Sequence, residues 1–389
     1  MGESNRTIYK CNRKLKKLLI ISHTEHFINE SGTVVGWGPT INEINFISDY
    51  FDEIVHVACF YNTKATKSSV AYTSNKIKFV PIAPFGGESI KQKLGILTHM
   101  PTIVSKINQN IHEVTHIQIR LPMGIGIFLL PYFSWFKRRN FILWIKYAGS
   151  WNDPNMPFGF YIQKQFLIVN LAKAKVTING FWEKQPKHCF SFENPCLTNE
   201  QILGGKNKIK FKNFNGKFKL IFVGRLEEAK GLTTLLDTLD NYKGHNISEI
   251  VFIGDGPNRN LYELRMQTTC IKHRFLGAIP STDVHQELMD SHFLLLPSKN
   301  EGFPKVIAEA ACYGVIPITS NVGSISHYIN ESNGFVWDIN GPQTYEAVFS
   351  KAISLQELDL EFRSKNLEEV AELFTYENYI NKLKTQIFD

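Results

Sequence analysis

With 389 residues and a 43% hydrophobic share, the chain has the apolar content for two packed cores, which suits a soluble globular protein of two domains. The longest apolar stretch, residues 124–136, is broken by Pro131 and too short to span a bilayer; the run Leu18–Ile21 is too short for a signal peptide behind the basic start (Lys10, Arg13, Lys14, Lys16, Lys17). Six scattered cysteines without C-x-x-C spacing imply reduced thiols, so a cytoplasmic protein is expected.

The net charge of +7 is unevenly placed: the first 200 residues carry 23 Lys+Arg against 13 Asp+Glu, the remainder 20 against 23. A basic first half suits either plain solubility or an anionic partner such as a membrane surface, and peripheral contact with the inner face of the cell membrane is included in the expectation. Nucleic acid is not expected, because the basic residues are not interleaved with aromatics on one face.

In chain order, Lys17–Ile21 reads as a first parallel strand, followed by a glycine-bearing loop (Gly32, Gly36, Gly38) and a helix opened by Pro39. Strands follow at 54–58, 77–82, 116–119, 141–147 and 175–178, with helical stretches between them. This alternation predicts a doubly wound α/β domain whose strand ends carry Arg120, Lys146 and Trp151. The aromatic segment 131–140 ends in Lys137-Arg138-Arg139 and reads as a buried helix with basic residues at its carboxyl end, a membrane-surface patch being the alternative. Residues 196–215, with Gly204, Gly205, several lysines and little periodicity, read as a linker.

The second half restarts the pattern. Strand 219–223 runs into Gly224-Arg225-Leu226 and Lys230-Gly231 before a leucine-rich helix; strand 249–253 runs into Gly254-Asp255-Gly256-Pro257; a short strand ends at Gly277. Strand 292–297 leads into Ser298-Lys299-Asn300-Glu301-Gly302-Phe303-Pro304-Lys305, and a helix carrying Glu309 follows. Two carboxylates at that spacing, on a strand–loop–helix unit, can face one polyhydroxylated ligand at the carboxyl edge of the sheet, with helix-start N–H groups suited to phosphate.

These motifs, in this order, resemble glycosyltransferase family 4, the retaining group 1 enzymes of GT-B fold; the resemblance covers roughly residues 218–340. It implies two Rossmann-like domains facing across a cleft: an acceptor-side domain 1–195, the linker 196–215, a donor-binding domain 216–372, and a C-terminal helix 373–389 crossing back. The donor would be a nucleoside-diphosphate sugar and the acceptor a glycan or lipid-linked sugar, in bacterial surface polysaccharide synthesis. Arg225 and Lys230 would hold the diphosphate, Glu301 the sugar hydroxyls and Glu309 the ribose. Gly224, Gly254, Gly302, Phe303, Pro304 and Lys305 would line the donor loops, Gly277 would flank the base, and Gly36 and Gly38 would close over the phosphates. Relatives often carry a histidine at the end of the fourth strand; here Arg120-Leu121-Pro122 stands there, and Arg120 would bind phosphate or an anionic acceptor instead. No D-x-D occurs at a matching place, so neither a metal nor another cofactor is expected. A different sugar-nucleotide enzyme of the same fold (an epimerase or inverting transferase) and a catalytically silent nucleotide-sugar-binding subunit stay open as alternatives.

Overall fold

Short runs of Val, Ile, Leu and Phe bounded by Gly, Pro and polar residues build strands that are buried on both faces, the pattern of parallel sheets covered by helices. The computed structural model describes residues 15–388 except 67, 86–89, 137–139, 154–155 and 183. Lys10, Arg13, Lys14 and Lys137–Arg139, all singled out above, lie outside the described residues, as does Cys11, one of the six cysteines.

The first part contains strands β1 (Lys17–Ile21), β2 (His26–Ile28), β3 (Val34–Trp37), β4 (Glu53–Cys59), β5 (Ser69–Ala71), β6 (Ile77–Ile82), β7 (His116–Leu121), β8 (Ile142–Tyr147), β9 (Lys175–Asn179) and β10 (Cys189–Phe192). Helices α1 (Gly38–Ile47), α2 (Ile90–Asn110), α3 (Gly126–Pro131) and α4 (Phe158–Val169) lie between them. Seven strands form a parallel sheet of order β10-β9-β8-β7-β1-β4-β6, so the order reverses between β1 and β7.

The second part contains β11 (Phe218–Val223), β12 (Ile247–Ile253), β13 (His273–Gly277), β14 (Phe293–Leu296), β15 (Ile316–Ser320) and β16 (Phe335–Trp337) in a parallel sheet of order β13-β12-β11-β14-β15-β16, reversing between β11 and β14. Its helices are α5 (Asn199–Lys210), α6 (Leu232–Asn241), α7 (Arg259–Met266), α8 (Ser281–Met289), α9 (Lys305–Ala311), α10 (Ile325–Tyr328), α11 (Tyr345–Ile353) and α12 (Glu357–Leu373). A last helix, α13 (Tyr376–Leu383), continues as a π-helical turn, Lys384–Phe388. Its Tyr379, Leu383, Ile387 and Phe388 join Leu18, Ile20, Ile44, Ile47 and Trp144 in a core on one face of the first sheet.

Three features depart from the sequence reading. The stretch 196–215 is not an irregular linker. Asn199–Lys210 is a helix started by a capping box in which Thr198 Oγ1 accepts from Gln201 N and the Gln201 side chain accepts from Thr198 N; lysines and glycines masked its weak apolar face. The glycine loop after β1 is partly a small antiparallel sheet, β2-β3-β5, with β3 central. Strands of three or four residues carry too little alternation to be read from sequence, and β10 and β16 went unread for the same reason.

Histidines pin that small sheet to the large one. His26 Nδ1 faces the carbonyls of Thr24 (2.9 Å) and Cys59 (3.3 Å), so it carries the proton and leaves Nε2 as acceptor for the Tyr72 hydroxyl (2.8 Å). Tyr72 O then accepts from His56 Nδ1 (2.7 Å), and His56 Nε2 meets Ser22 Oγ (2.8 Å). Burial holds both rings neutral, His26 down to about 4 and His56 well below its ordinary value.

The first sheet also buries an ion cluster under α1. Glu43 accepts from Arg120 through both guanidinium Nη atoms (2.9 and 3.3 Å), from Lys146 Nζ (2.5 Å) and from the Tyr379 hydroxyl (2.9 Å). Burial would raise the Glu43 pKa, but the two cations and their hydrogen bonds lower it; burial pushes Lys146 down to about 7 against the pull of Glu43.

Glu43→Gln leaves Arg120 and Lys146 without their anion, and a stability loss of about 3–5 kcal/mol in denaturant unfolding is expected. A loss under about 1 kcal/mol contradicts the account. His26, His116 and His292, held at about 4, and His56 refuse protons that the unfolded chain takes up below its ordinary histidine value near 6.5. The histidine contribution to stability is therefore full above 6.5 and is lost as pH drops toward 4, by up to about 1.4 kcal/mol per pH unit per histidine. A melting temperature unchanged between about pH 7 and 5 is incompatible with these neutral rings.

Candidate active site

In open parallel sheets the crevice lies beyond the carboxyl ends of the two strands where the order reverses. In the second sheet those strands are β11 and β14, and their loops are the two that carry Arg225 with Lys230 and Glu301 with Gly302. Lys299 N donates to Ala229 O (2.9 Å), tying the loops together. Gly231 sits at φ +72° with Pro297 O against its back: a Cβ there would stand 1.8 Å from that oxygen. On the other side, Gly323 at φ +62° lets the loop after β15 touch the carbonyls of Glu301 and Gly302, where a Cβ would lie within 2.1–2.2 Å. Ser324 then donates to Gly302 O from its N–H (2.9 Å) and its hydroxyl (3.1 Å). The Glu301 loop is thus gripped from both sides, while nothing lies within 4 Å of the Cβ position of Gly302.

The central contact is an ion pair: Lys230 Nζ donates to Glu301 Oε1 at 2.5 Å, with both side chains mostly covered. Arg225, on the same segment after β11 as Lys230, has an exposed side chain whose one anionic neighbour among the described residues is Glu227 at 3.3 Å. A second pair, Lys299 with Glu228 at 2.5 Å, links the same two loops nearer the solvent. Gly224 N bonds Ile253 O and Gly254 N bonds Gly277 O, so the ends of β11, β12 and β13 form one continuous floor that brings Gly224, Gly254 and Gly277 side by side.

Glu309 is the fifth residue of α9, just past its first turn, and makes no hydrogen bond among the described residues. Burial raises its pKa, and the Lys305 ammonium opposes this. Pro304 caps α9, fixing where the loop ends. Among the described residues, no group of three or more His, Cys, Asp or Glu converges as a metal site would require.

Several expected site residues stand elsewhere. Arg120 is no free acceptor-side cation: it is buried and its guanidinium is engaged by Glu43, because the same strand end that reaches the cleft also lies under α1. Gly36 lies within the central strand of the small sheet, and Gly38 N donates to Ser68 O (3.0 Å), so neither offers a loose loop to fold over phosphates. The Phe303 ring turns away from the floor and stacks on Phe374 (centroids 4.5 Å, 16° between planes) and against Tyr328. Lys305 Nζ donates to Pro195 O (2.8 Å), at the crossing between the two parts.

Three residues of this region escaped the sequence reading. His23 follows β1, at the first sheet's own reversal point; it is exposed, yet neighbouring protein disfavours its charged form and Arg120 adds repulsion. Its position just after the first strand was the available signal. Asp153 and Phe374 had none, since each matters only through a partner distant in sequence: Asn300 Nδ2 donates to Asp153 Oδ1 at 3.5 Å, and Phe374 meets Phe303.

Residues 205–368 match the family model described as "Glycosyl transferases group 1". The chain is 30% identical over 106 residues to the putative teichuronic acid biosynthesis glycosyltransferase TuaC of Bacillus subtilis, a segment covering 27% of this chain and 25% of that protein. It is 26% identical over 176 residues to the 2-deoxystreptamine N-acetyl-D-glucosaminyltransferase of Niallia circulans, covering 43% and 45%. The matched segments thus span a quarter to under half of these relatives' lengths. Among solved structures, sucrose-phosphate synthase from Thermosynechococcus elongatus superimposes with a TM-score of 0.70 at 14% identity, over 96% of this chain and 99% of that one. Anabaena HepE in complex with UDP superimposes with 0.64 at 14% identity, over 95% and 98%. Residues 205–368 are therefore similar to the glycosyl transferases group 1 family, in a chain of GT-B fold.

Proposed function

We propose that this protein is a retaining glycosyltransferase that moves a sugar from a nucleoside-diphosphate sugar to a glycan or lipid-linked acceptor in bacterial surface polysaccharide synthesis. The observation that carries the reading is the Lys230–Glu301 pair beside Arg225 at the β11/β14 reversal point. Breaking a sugar–phosphate bond builds positive charge on the sugar and negative charge on the departing diphosphate. Two preorganised cations stabilise the second charge. Without donor, Glu301 neutralises Lys230; with donor, the diphosphate takes Lys230 and Arg225, and Glu301 is released to the sugar hydroxyls. Glu309, unpartnered by hydrogen bonds and on the same side, takes the ribose hydroxyls.

Retention follows if the acceptor hydroxyl attacks from the face the diphosphate leaves, with a phosphate oxygen accepting its proton. The cations then fill the role of a metal, so transfer is expected to be insensitive to EDTA. The structural neighbour crystallised with UDP and the relatives named for teichuronic acid and N-acetylglucosamine transfer make UDP-sugars the first donors to test. Peripheral contact with a membrane surface belongs to the same reading, since a lipid-linked acceptor resides there; no helix among the described residues is long and apolar enough to cross a membrane.

The direct test is a thermal-shift screen with nucleoside diphosphates and their sugar conjugates, with and without EDTA, followed by NMR assignment of the product anomer. One responding diphosphate and a product with the donor's anomeric configuration support the proposal; an inverted product sinks the retaining part, and donor binding without turnover on any acceptor points to a silent binding subunit. Arg225→Ala with Lys230→Ala should lower turnover by about 10²–10³ per lost cation; unchanged kinetics would remove the diphosphate assignment. Glu301→Ala frees Lys230 from its competing carboxylate, so nucleotide affinity should hold or rise while kcat falls. A variant that loses nucleotide affinity and keeps kcat contradicts the exchange.

A further inference from the structure

A surface helix that packs on a core normally shows polar residues on its outer face. Helix α4 does not. Its outward positions Phe158, Tyr161, Ile162 and Val169 are exposed, Phe158 by 77% and Val169 by 66%, and Leu171 in the following turn is exposed as well. Trp135, from the π-helical turn Tyr132–Phe136 that follows α3, is 66% exposed and lies edge-on to Phe166 of α4 (6.2 Å), so it extends the same surface. Large apolar side chains clustered in this way, rather than scattered singly, mark an interaction surface.

The charge around this face says what covers it. Lys184, in the turn packed against the end of α4, is exposed, and Asp153 lies at the other end, before the start of the helix. Lys173 and Lys187 are exposed at the carboxyl end of α4, where His188 Nε2 donates to Leu167 O (2.8 Å) and holds the 184–188 turn against the helix. Aromatic and aliphatic side chains flanked by lysines, on a helix too short to cross a bilayer, suit the boundary between headgroups and acyl chains. The face also adjoins the cleft: α4 starts five residues after Asp153, which accepts from Asn300 of the Glu301 loop. We infer that the α4 face with Trp135 docks the protein on an anionic lipid surface and so presents a lipid-linked acceptor at the mouth of the cleft.

The purpose of this docking rests on the acceptor proposed above, but the docking is measured without donor or acceptor, so its failure and that of glycosyl transfer are separable. The full chain is sedimented with vesicles of phosphatidylcholine containing about one third phosphatidylglycerol, and with pure phosphatidylcholine, at about 0.1 and 0.5 M salt. The unaltered protein should bind the anionic vesicles, less so at the higher salt. Phe158→Ser with Tyr161→Ser and Val169→Ser should weaken partition by at least about tenfold. Leu264→Ser with Phe362→Ser, exposed positions on the second part, should bind as the unaltered protein does. Lys173→Glu with Lys187→Glu, which leaves the apolar face intact, provides an independent variant and should also weaken binding. Equal binding to neutral vesicles, no binding to anionic ones, or full binding by both the serine and the glutamate variants overturns the inference. So does a dimer in sedimentation velocity that the serine substitutions dissociate while vesicles are ignored, since a second copy would then be the occupant.

Discussion

The two halves of this chain are joined at Phe374, and much of the geometry depends on that residue. Its carbonyl accepts the N–H groups of both Cys196 and Leu197, and Tyr376 N returns a bond to Leu197 O, so the outward and the returning crossings are locked to each other. Its ring stacks on Phe303, two residues past Glu301. The loop that carries the principal carboxylate therefore shares a packing contact with the hinge, and a shift of one sheet relative to the other is felt at the loop without a further intermediary. Phe46 of α1 stacked on Tyr376 (3.9 Å) and Lys382 paired with Glu193 (2.6 Å) hold the returning helix from the other side.

The molecule uses carboxylate–cation contacts in two ways, separated by burial and by stoichiometry. Glu43 is enclosed, with two cations and a tyrosine hydroxyl around it, and no ligand can displace them without leaving buried charge unpaired. Among the described residues Glu301 has one ion-pair partner, Lys230, whose segment also carries the exposed Arg225. The first arrangement fixes α1 and α13 to the first sheet. In the second, a single ammonium faces a single carboxylate, so exchanging that anion for another leaves no further buried charge unpaired.

The same division separates the two reversal points. At β11/β14 the Glu301 loop is open at Gly302, where nothing lies within 4 Å of the Cβ position. At β1/β7 the corresponding strand end is filled by Arg120 and its partner, and His23 is the exposed polar residue left at that edge.

The sequence by itself determined the two parallel sheets, since each strand is a short apolar run closed by glycine, proline or a charge, and local composition suffices to mark it. It also put Arg225, Lys230 and Glu301 in segments just past strand ends and Glu309 on the helix that follows, because their spacing from a strand end is a chain-local quantity. It left short strands such as β2, β3 and β16 unread, having too few residues to show a period, and it hid helix α5 behind glycines and lysines. Only the tertiary structure decided that Arg120 belongs to Glu43, 77 positions away in the chain, that Lys230 meets Glu301 across 71, and that Phe303 faces the hinge. The reason is the same in each case: whether a charge is free or paired depends on what the fold brings within 3 Å of it, and that neighbour lies on another element.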